Sequence, residues 1–140
     1  DPKGPHFGWY RWATCVTPNK AEAEEASGVR IEGEGDLLEA GRRLMERWGS
    51  EMVLITRGEE GMSLFERGGG VEHISAVARE VYDVTGAGDT VVSVFVLGLV
   101  SGADPREAAY LANAAAGVVV GKLGAATVSK EEILGQWELD

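Results

Sequence analysis

Val81-Tyr82-Asp83-Val84-Thr85-Gly86-Ala87-Gly88-Asp89-Thr90 runs without a break into the apolar segment Val91 to Val100. Gly86 and Gly88 allow a tight turn and a close approach of backbone to ligand. The valine-rich segment has strand propensity, but it is long, enters from a glycine turn and contains Ser93 and Gly98 without a β-turn break, so it is read as a buried helix. The first turn of a helix offers unpaired amide hydrogens in a region of positive potential, which suits a phosphate. Asp89 sits in that turn and would repel a phosphate merely held there. The two features agree if the phosphoryl group is moving: the amides stabilise its charge while Asp89 takes the proton of an attacking hydroxyl. By itself Gly-Ala-Gly-Asp is equally a capped turn whose acid complements the helix dipole.

Downstream, Asp104-Pro105-Arg106-Glu107 is a strong helix start: cap, proline at the first position, glutamate at the third. The segment Ala108 to Val120 is apolar nearly all round, which predicts a buried helix interrupted by Asn113. A buried amide needs partners, and either a ligand or the core can supply them. Gly121-Lys122-Leu123-Gly124 closes that helix, and Ser129 with Glu132 starts a short final one; Trp137 to Asp140 carries no signal.

Upstream, Met52-Val53-Leu54-Ile55 is apolar without alternation, as in a strand buried on both sheet faces. It ends at Thr56-Arg57-Gly58, and the carboxyl end of such a strand is where open α/β sheets bind ligands. Gly61 to Glu66 and Val71 to Val77 then form a hairpin across a glycine-rich turn that lacks the Lys-Ser/Thr ending of a phosphate-binding P-loop. Before the strand, Asp36 caps an amphipathic helix with Glu39 at its third position. Leu37, Leu38, Gly41, Leu44, Met45 and Trp48 form its core face, and Glu39, Arg42, Arg43, Glu46 and Arg47 its wet face. Ala13 to Thr17 is a short strand ended by Pro18-Asn19. Asn19 caps the helix Lys20 to Ser27 and Glu22 completes a capping box. A functional account of the same pair places them at a strand's carboxyl end, where they organise a metal's water shell beside phosphate. His6 and His73 stand at no metal-ligand spacing and read as structural.

Composition narrows the classes. Among 140 residues, 23 are acidic and 13 are Lys or Arg, for a net charge of −10. That argues against a nucleic-acid surface but says little about one phosphate held by local amides. Cys15 is the only cysteine, so an intrachain disulfide or a cysteine-rich metal site is excluded, and a reducing compartment fits. The Val91–Val100 run is too short to span a bilayer. The abrupt opening at Asp1-Pro2-Lys3-Gly4 reads as that of an excised or processed piece. Strand, helix, helix, strand, hairpin and two buried helices make one side of a layered α/β sheet.

The ordered set Asp1-Pro2-Lys3-Gly4, Thr17-Pro18-Asn19 with Glu22, Thr56-Arg57-Gly58, Asp83 to Thr90, Leu111 to Gly117 and Gly121 to Ser129 resembles the carboxyl-terminal half of the ribokinase-like (PfkB) carbohydrate kinases, nearest to their heptose-phosphate branch. The resemblance implies a partial three-layer α/β/α fold over residues 1–140, with the amino-terminal half, which carries most sugar contacts and the lid, missing. It implies Asp89 as catalytic base and Gly86, Ala87 and Gly88 as the anion hole. Asn19 and Glu22 would organise Mg²⁺ and phosphate, and Thr56 and Gly58 would lie near the nucleotide phosphates. Asn113 would line the base side, with Lys122, and with it Lys3, near ATP; loop packing explains both lysines as readily. Asp83, Thr85, Val120 and Gly124 resemble the family's monovalent-cation (K⁺) site.

The implied reaction is ATP-dependent phosphorylation of D-glycero-β-D-manno-heptose 7-phosphate at its 1-hydroxyl, in a cytoplasmic pathway to ADP-heptose and the lipopolysaccharide core. Without the sugar-positioning wall, the 140-residue chain is expected to have little or no activity alone. It should associate with the missing half, with itself or with another chain through an uncovered apolar edge. Competing expectations are a different PfkB-type sugar or nucleoside kinase and a noncatalytic nucleotide-binding module. No nucleic-acid or membrane partner is expected.

Overall fold

The computed structural model describes residues 1–77 and 80–136. The elements follow the order β1 (Cys15–Val16), α1 (Lys20–Ser27), α2 (Glu34–Trp48), β2 (Met52–Thr56), β3 (Met62–Glu66), β4 (Val71–Ile74), α3 (Ala87–Val100), α4 (Pro105–Val120) and α5 (Lys130–Leu134). The strands form one sheet in the order β1-β2-β3-β4. β1 runs parallel to β2, which requires the α1–α2 crossover, and β2 runs antiparallel to β3. The chain divides into two compact units: Asp1–Arg57 with Met62–His73, and Gly58–Gly61 with the described residues from Ile74 on.

The first unit is built on β2. Val53, Leu54 and Ile55 are fully buried, as the unbroken apolar run predicts. Against it lies α2, whose buried face is Leu37, Ala40, Gly41, Leu44 and Trp48. The Trp48 indole N–H, fully enclosed, donates to the Phe7 carbonyl at 2.7 Å and so meets the requirement that a buried donor find a partner. Leu38 and Met45 lie at the edge of this face, Leu38 exposed and Met45 half-buried. The true face is the narrower stripe, because Ala40 rather than Leu38 points inward. Asp36 is not the cap. Gly33 is, and Asp36 at the third position reaches back with Oδ2 to the Gly33 and Glu32 amides at 3.1 Å. Glu39 binds Arg42 and Arg43, and Arg42 also binds Glu46, along the wet side.

β1 is shorter than the Ala13–Thr17 expectation, although an isolated parallel bridge between Asn19 and Thr56 carries the pairing with β2 onward. β4 ends at Ile74 rather than Val77. The β3–β4 turn closes through Gly69 and Gly70, with the Glu66 amide donating to the Gly70 carbonyl at 2.9 Å. His73 takes a structural place, its Nδ1 2.8 Å from the Ser63 hydroxyl.

In the second unit, α3 is a helix, as its length and glycine entry predict. It is not buried all round. Val91, Phe95 and Gly98 face inward, while Val96, Leu97 and Val100 are exposed. α4 begins with the expected box: Asp104 Oδ1 accepts from the Arg106 and Glu107 amides, and Glu107 Oε2 accepts from the Asp104 amide. Five of its six alanines, Ala108, Ala109, Ala112, Ala114 and Ala115, are buried. Gly98 meets Ala108 so closely that a Cβ on Gly98 would lie 2.9 Å from the Ala108 Cβ. Small residues on both helices thus set the spacing of α3 from α4.

Candidate active site

The turn before α3 is held by one carboxylate. Asp83 Oδ1 accepts from the Thr85 amide at 2.9 Å, an Asx turn, and Oδ2 accepts from the Gly124 amide at 3.0 Å. The Thr85 hydroxyl, then these amides, hold the Asp83 carboxyl below its ordinary range. The amides of Tyr82 and Asp83 donate to the Val120 carbonyl at 2.8 and 3.2 Å. Gly86 follows in the left-handed region, φ 79°, as the N-cap of α3, a conformation that glycine adopts without steric cost.

At the helix start the Ala87 amide donates to the Val84 carbonyl at 3.2 Å, and the Thr90 amide to Gly86. Among the described residues, the amides of Gly86, Gly88 and Asp89 have no protein acceptor. A Cβ on Gly88 would meet nothing within 4 Å. Asp89 is exposed in the first turn, and its carboxylate has no ion pair or hydrogen bond among the described residues. Its backbone carbonyl accepts the Ser93 hydroxyl at 2.8 Å. The turn therefore presents two free glycine amides flanking an occupied one, with an open carboxylate one residue further on.

Asp83, Thr85, Val120 and Gly124 are brought together, but not as equivalent donors. A carbonyl oxygen has two lone pairs, and Val120 already accepts two amides. Asp83 accepts the two amides and the Thr85 hydroxyl, which leaves acceptor capacity on one of its oxygens, so a hard cation fits an oxygen set drawn from Asp83 and the Thr85 and Gly124 backbone better than one including Val120. Among the described residues no group of His, Cys, Asp and Glu has metal-cluster geometry.

Asn113 is 4% exposed, and its Nδ2 donates to the Ser75 carbonyl at 2.8 Å, the core partner that a buried amide requires. Lys122 is bound within its own loop: Nζ lies 2.8 Å from the Thr127 carbonyl and 2.6 Å from Glu132 Oε1. That ammonium, followed by the Ser129 amide, holds the Glu132 carboxyl below its usual range. Gly58 opens a short 3-10 turn at φ 59°, where a Cβ would meet nothing.

In the first unit, Asn19 and Glu22 form the full capping box, each amide 2.9 Å from the other's side-chain oxygen. Lys3 Nζ binds Glu22 Oε1 and reaches Asp1. Thr56 sits beside them, its amide donating to the Pro18 carbonyl at 3.0 Å. Lys3, Asn19, Glu22 and Thr56 therefore meet at the carboxyl ends of β1 and β2. With Lys3 against Glu22, direct Mg²⁺ ligation by this carboxylate does not fit, whereas ordering water around a metal-bound phosphate does. Neither the Lys3–Glu22 pair nor the Lys122–Glu132 pair has a sequence cue; the Asp83–Thr85 turn does, in its Asp-x-Thr spacing. A groove of about 540 Å³ lined by Trp12, Leu38, Met45, Phe65 and Val71 involves none of these residues.

A family model described as pfkB family carbohydrate kinase matches residues 9–132. This chain belongs to the pfkB family. Its pfkB sequence is 55% identical over 135 residues to the Bifunctional protein HldE of Geobacter sulfurreducens, covering 96% of this chain and 28% of that protein. It is 51% identical to the protein of the same name from Trichlorobacter lovleyi over the whole of this chain and 28% of the relative. The chain thus spans under a third of the length of the curated relatives it matches. Among solved structures it is similar to Arabidopsis thaliana ribokinase complexed with ribose and ATP, with TM-score 0.83, 28% identity, and coverage of 90% of this chain and 41% of that one. For Thermotoga maritima ribokinase the TM-score is 0.84 at 27% identity, covering 97% and 46%. The fold is that of a ribokinase-like α/β protein, present here in part. Among the described residues no helix is long and apolar enough to cross a membrane.

Proposed function

We propose that this pfkB chain carries the nucleotide-side half of a cytoplasmic kinase that transfers the γ-phosphoryl group of ATP to the 1-hydroxyl of D-glycero-β-D-manno-heptose 7-phosphate. The product, a 1,7-bisphosphate, feeds ADP-heptose for the lipopolysaccharide core. The observation that carries the reading is the exposed, unpartnered Asp89 carboxylate beside the free Gly88 amide at the start of α3. Asp89 accepts the proton of the acceptor hydroxyl as its oxygen attacks in line. The Gly86 and Gly88 amides, with that of Asp89, offset charge on the moving phosphoryl group; Ala87 contributes less because its amide is already bonded to Val84. Lys3, Asn19, Glu22 and Thr56 order the polyphosphate and its water, Gly58 gives backbone access to it, and Asn113 supports the base side. Bound Mg²⁺ supplies charge neutralisation at the phosphates, and K⁺ at Asp83, Thr85 and Gly124 supplies a fixed positive field beside the anion turn.

The heptose assignment rests on the 51–55% identity to proteins named HldE. A different sugar is favoured only by the more distant likeness to ribokinase bound to ribose and ATP. The 140 residues alone have little or no turnover, because the part of the fold that positions sugar lies outside them. The α3 face that starts at Asp89 continues as Val96, Leu97 and Val100, all exposed, and is the surface on which the missing part, or a second copy, packs. The test is a full-length kinase containing this chain, supplied with Mg-ATP and the heptose phosphate, ribose, fructose 6-phosphate or adenosine in parallel. Transfer selective for the heptose phosphate supports the reading; faster transfer to another acceptor replaces the substrate, and ATP binding without transfer to any acceptor replaces the enzyme.

A further inference from the structure

The loop after α4 is closed on itself by a side-chain clasp. Lys122 Nζ holds the Thr127 carbonyl at 2.8 Å and Glu132 Oε1 at 2.6 Å. The other oxygen of the same carboxylate, Oε2, accepts the Ser129 amide at 2.8 Å and caps α5. An ammonium has three donors, and two of the Lys122 donors are committed here. The enclosed loop is the wall behind the anion turn. Its Gly124 amide binds Asp83 Oδ2 at 3.0 Å, and a Cβ on Gly86 would come within 4.0 Å of the Ala125 Cβ. Asp83 in turn fixes the Thr85 amide immediately before Gly86.

We propose that Lys122 is a positioning residue rather than a nucleotide ligand: clasped to Glu132 and Thr127, it presses the 122–127 loop onto Asp83 and thereby sets the geometry of the turn from Thr85 to Asp89. The proposal rests on the kinase reading for its consequence and on the clasp geometry alone for its cause. A direct nucleotide contact would draw on the third donor of the ammonium or exchange Glu132 for phosphate, and removing Glu132 would then free Lys122 to bind ATP better. A clasp predicts the opposite, since losing either partner slackens the same loop.

Amide hydrogen exchange in the full-length protein tests the cause. Lys122→Gln and Glu132→Gln should each speed exchange at Gly124 and Thr85 by about 1.5- to 5-fold, the range for a partly exposed charge pair, with no further gain in the double variant. Amides within α4, Glu131→Gln and Lys122→Arg should stay near wild type, which separates loop release from general unfolding. In the full-length kinase both single variants should lower kcat in parallel with the ATP KM unchanged. Unaltered protection of Gly124 and Thr85 in both variants overturns the proposal. So does a raised ATP KM confined to Lys122→Gln. If the wild-type full-length protein transfers no phosphoryl group, the kinase reading fails and the exchange experiment still decides the clasp.

Discussion

Gly98→Ala is a lever on Asp89 applied from the opposite end of α3. The added Cβ would lie 2.9 Å from the Ala108 Cβ and 3.2 Å from its Cα. Carbon atoms in ordinary contact sit about 3.5–4.0 Å apart, and neither obstructing atom belongs to a flexible side chain. α3 and α4 must therefore move apart by about 0.5–1 Å to restore that contact distance. Overpacking of this kind costs about 1–3 kcal/mol, and replacing a helical glycine by alanine returns about 1 kcal/mol, so the net loss of stability is about 0–2 kcal/mol. Catalysis should suffer more, because a helix moves as a rod and a misplacement near 1 Å can cost about 10²-fold in rate. In the full-length kinase, Gly98→Ala should lower kcat by about one to two orders of magnitude while the melting temperature falls by only a few degrees. Adding Ala108→Gly removes the nearer of the two obstructing atoms and leaves the Cα at 3.2 Å, so it should recover part of the kcat. Wild-type kcat in the single variant, or no recovery in the double, would refute the idea that this glycine–alanine contact sets the position of Asp89.

Other expectations are local. Gly41→Ala would drive a Cβ into the edge of the buried Phe65 ring, so urea denaturation should show a loss of about 1–2 kcal/mol after the helix-propensity gain; an unchanged midpoint would mean that the ring has room. Desolvation of the half-buried Cys15 pushes its thiol up to about 12, so it should react more slowly with an alkylating agent at neutral pH while the chain is folded than after unfolding in urea; equal rates in both states would contradict that desolvation. The Arg42 guanidinium, followed by that of Arg43, lowers the Glu39 carboxyl from 4.5 to about 2. Because the folded value is the depressed one, the contribution of this exposed cluster is complete above 4.5 and is lost as pH falls through about 2. A carboxylate titration by NMR should find Glu39 still ionised at pH 3.5 in low salt, and a midpoint above 4 would show that the pairs do not persist in solution.

What was legible from sequence was what local chemistry determines. Asp104-Pro105-Arg106-Glu107 announced α4 to the residue, because cap, proline and reaching glutamate each act within one turn. The unbroken apolar run of β2 announced a strand covered on both faces. The start of α2 was misread because an aspartate reaching back from the third position leaves the same trace as one capping the helix. Leu38 was placed in the core because hydropathy does not say where a neighbouring surface ends. The apolar run of α3 read as a buried helix because the sequence carries the preference of Val96, Leu97 and Val100 for cover without showing what provides it. Within the site, the Gly-Ala-Gly-Asp turn was visible, but the occupation of the Ala87 amide and the Val120 carbonyl was not, since both depend on how the backbone closes. For Lys122 the sequence left ATP contact and loop packing equally open, because nothing in a linear reading links it to Glu132.

Asp89→Asn in the full-length kinase, with phosphoryl transfer and Mg-ATP binding measured on the same preparation, bears most directly on the chemistry. The substitution keeps the size and the exposed position of the side chain and removes only its ability to accept a proton. Transfer should fall by at least about 10²-fold while calorimetric affinity for Mg-ATP stays within a few-fold of wild type. Turnover near the wild-type rate in a correctly folded variant would mean that the acceptor hydroxyl loses its proton elsewhere, and the role assigned to the start of α3 would be wrong.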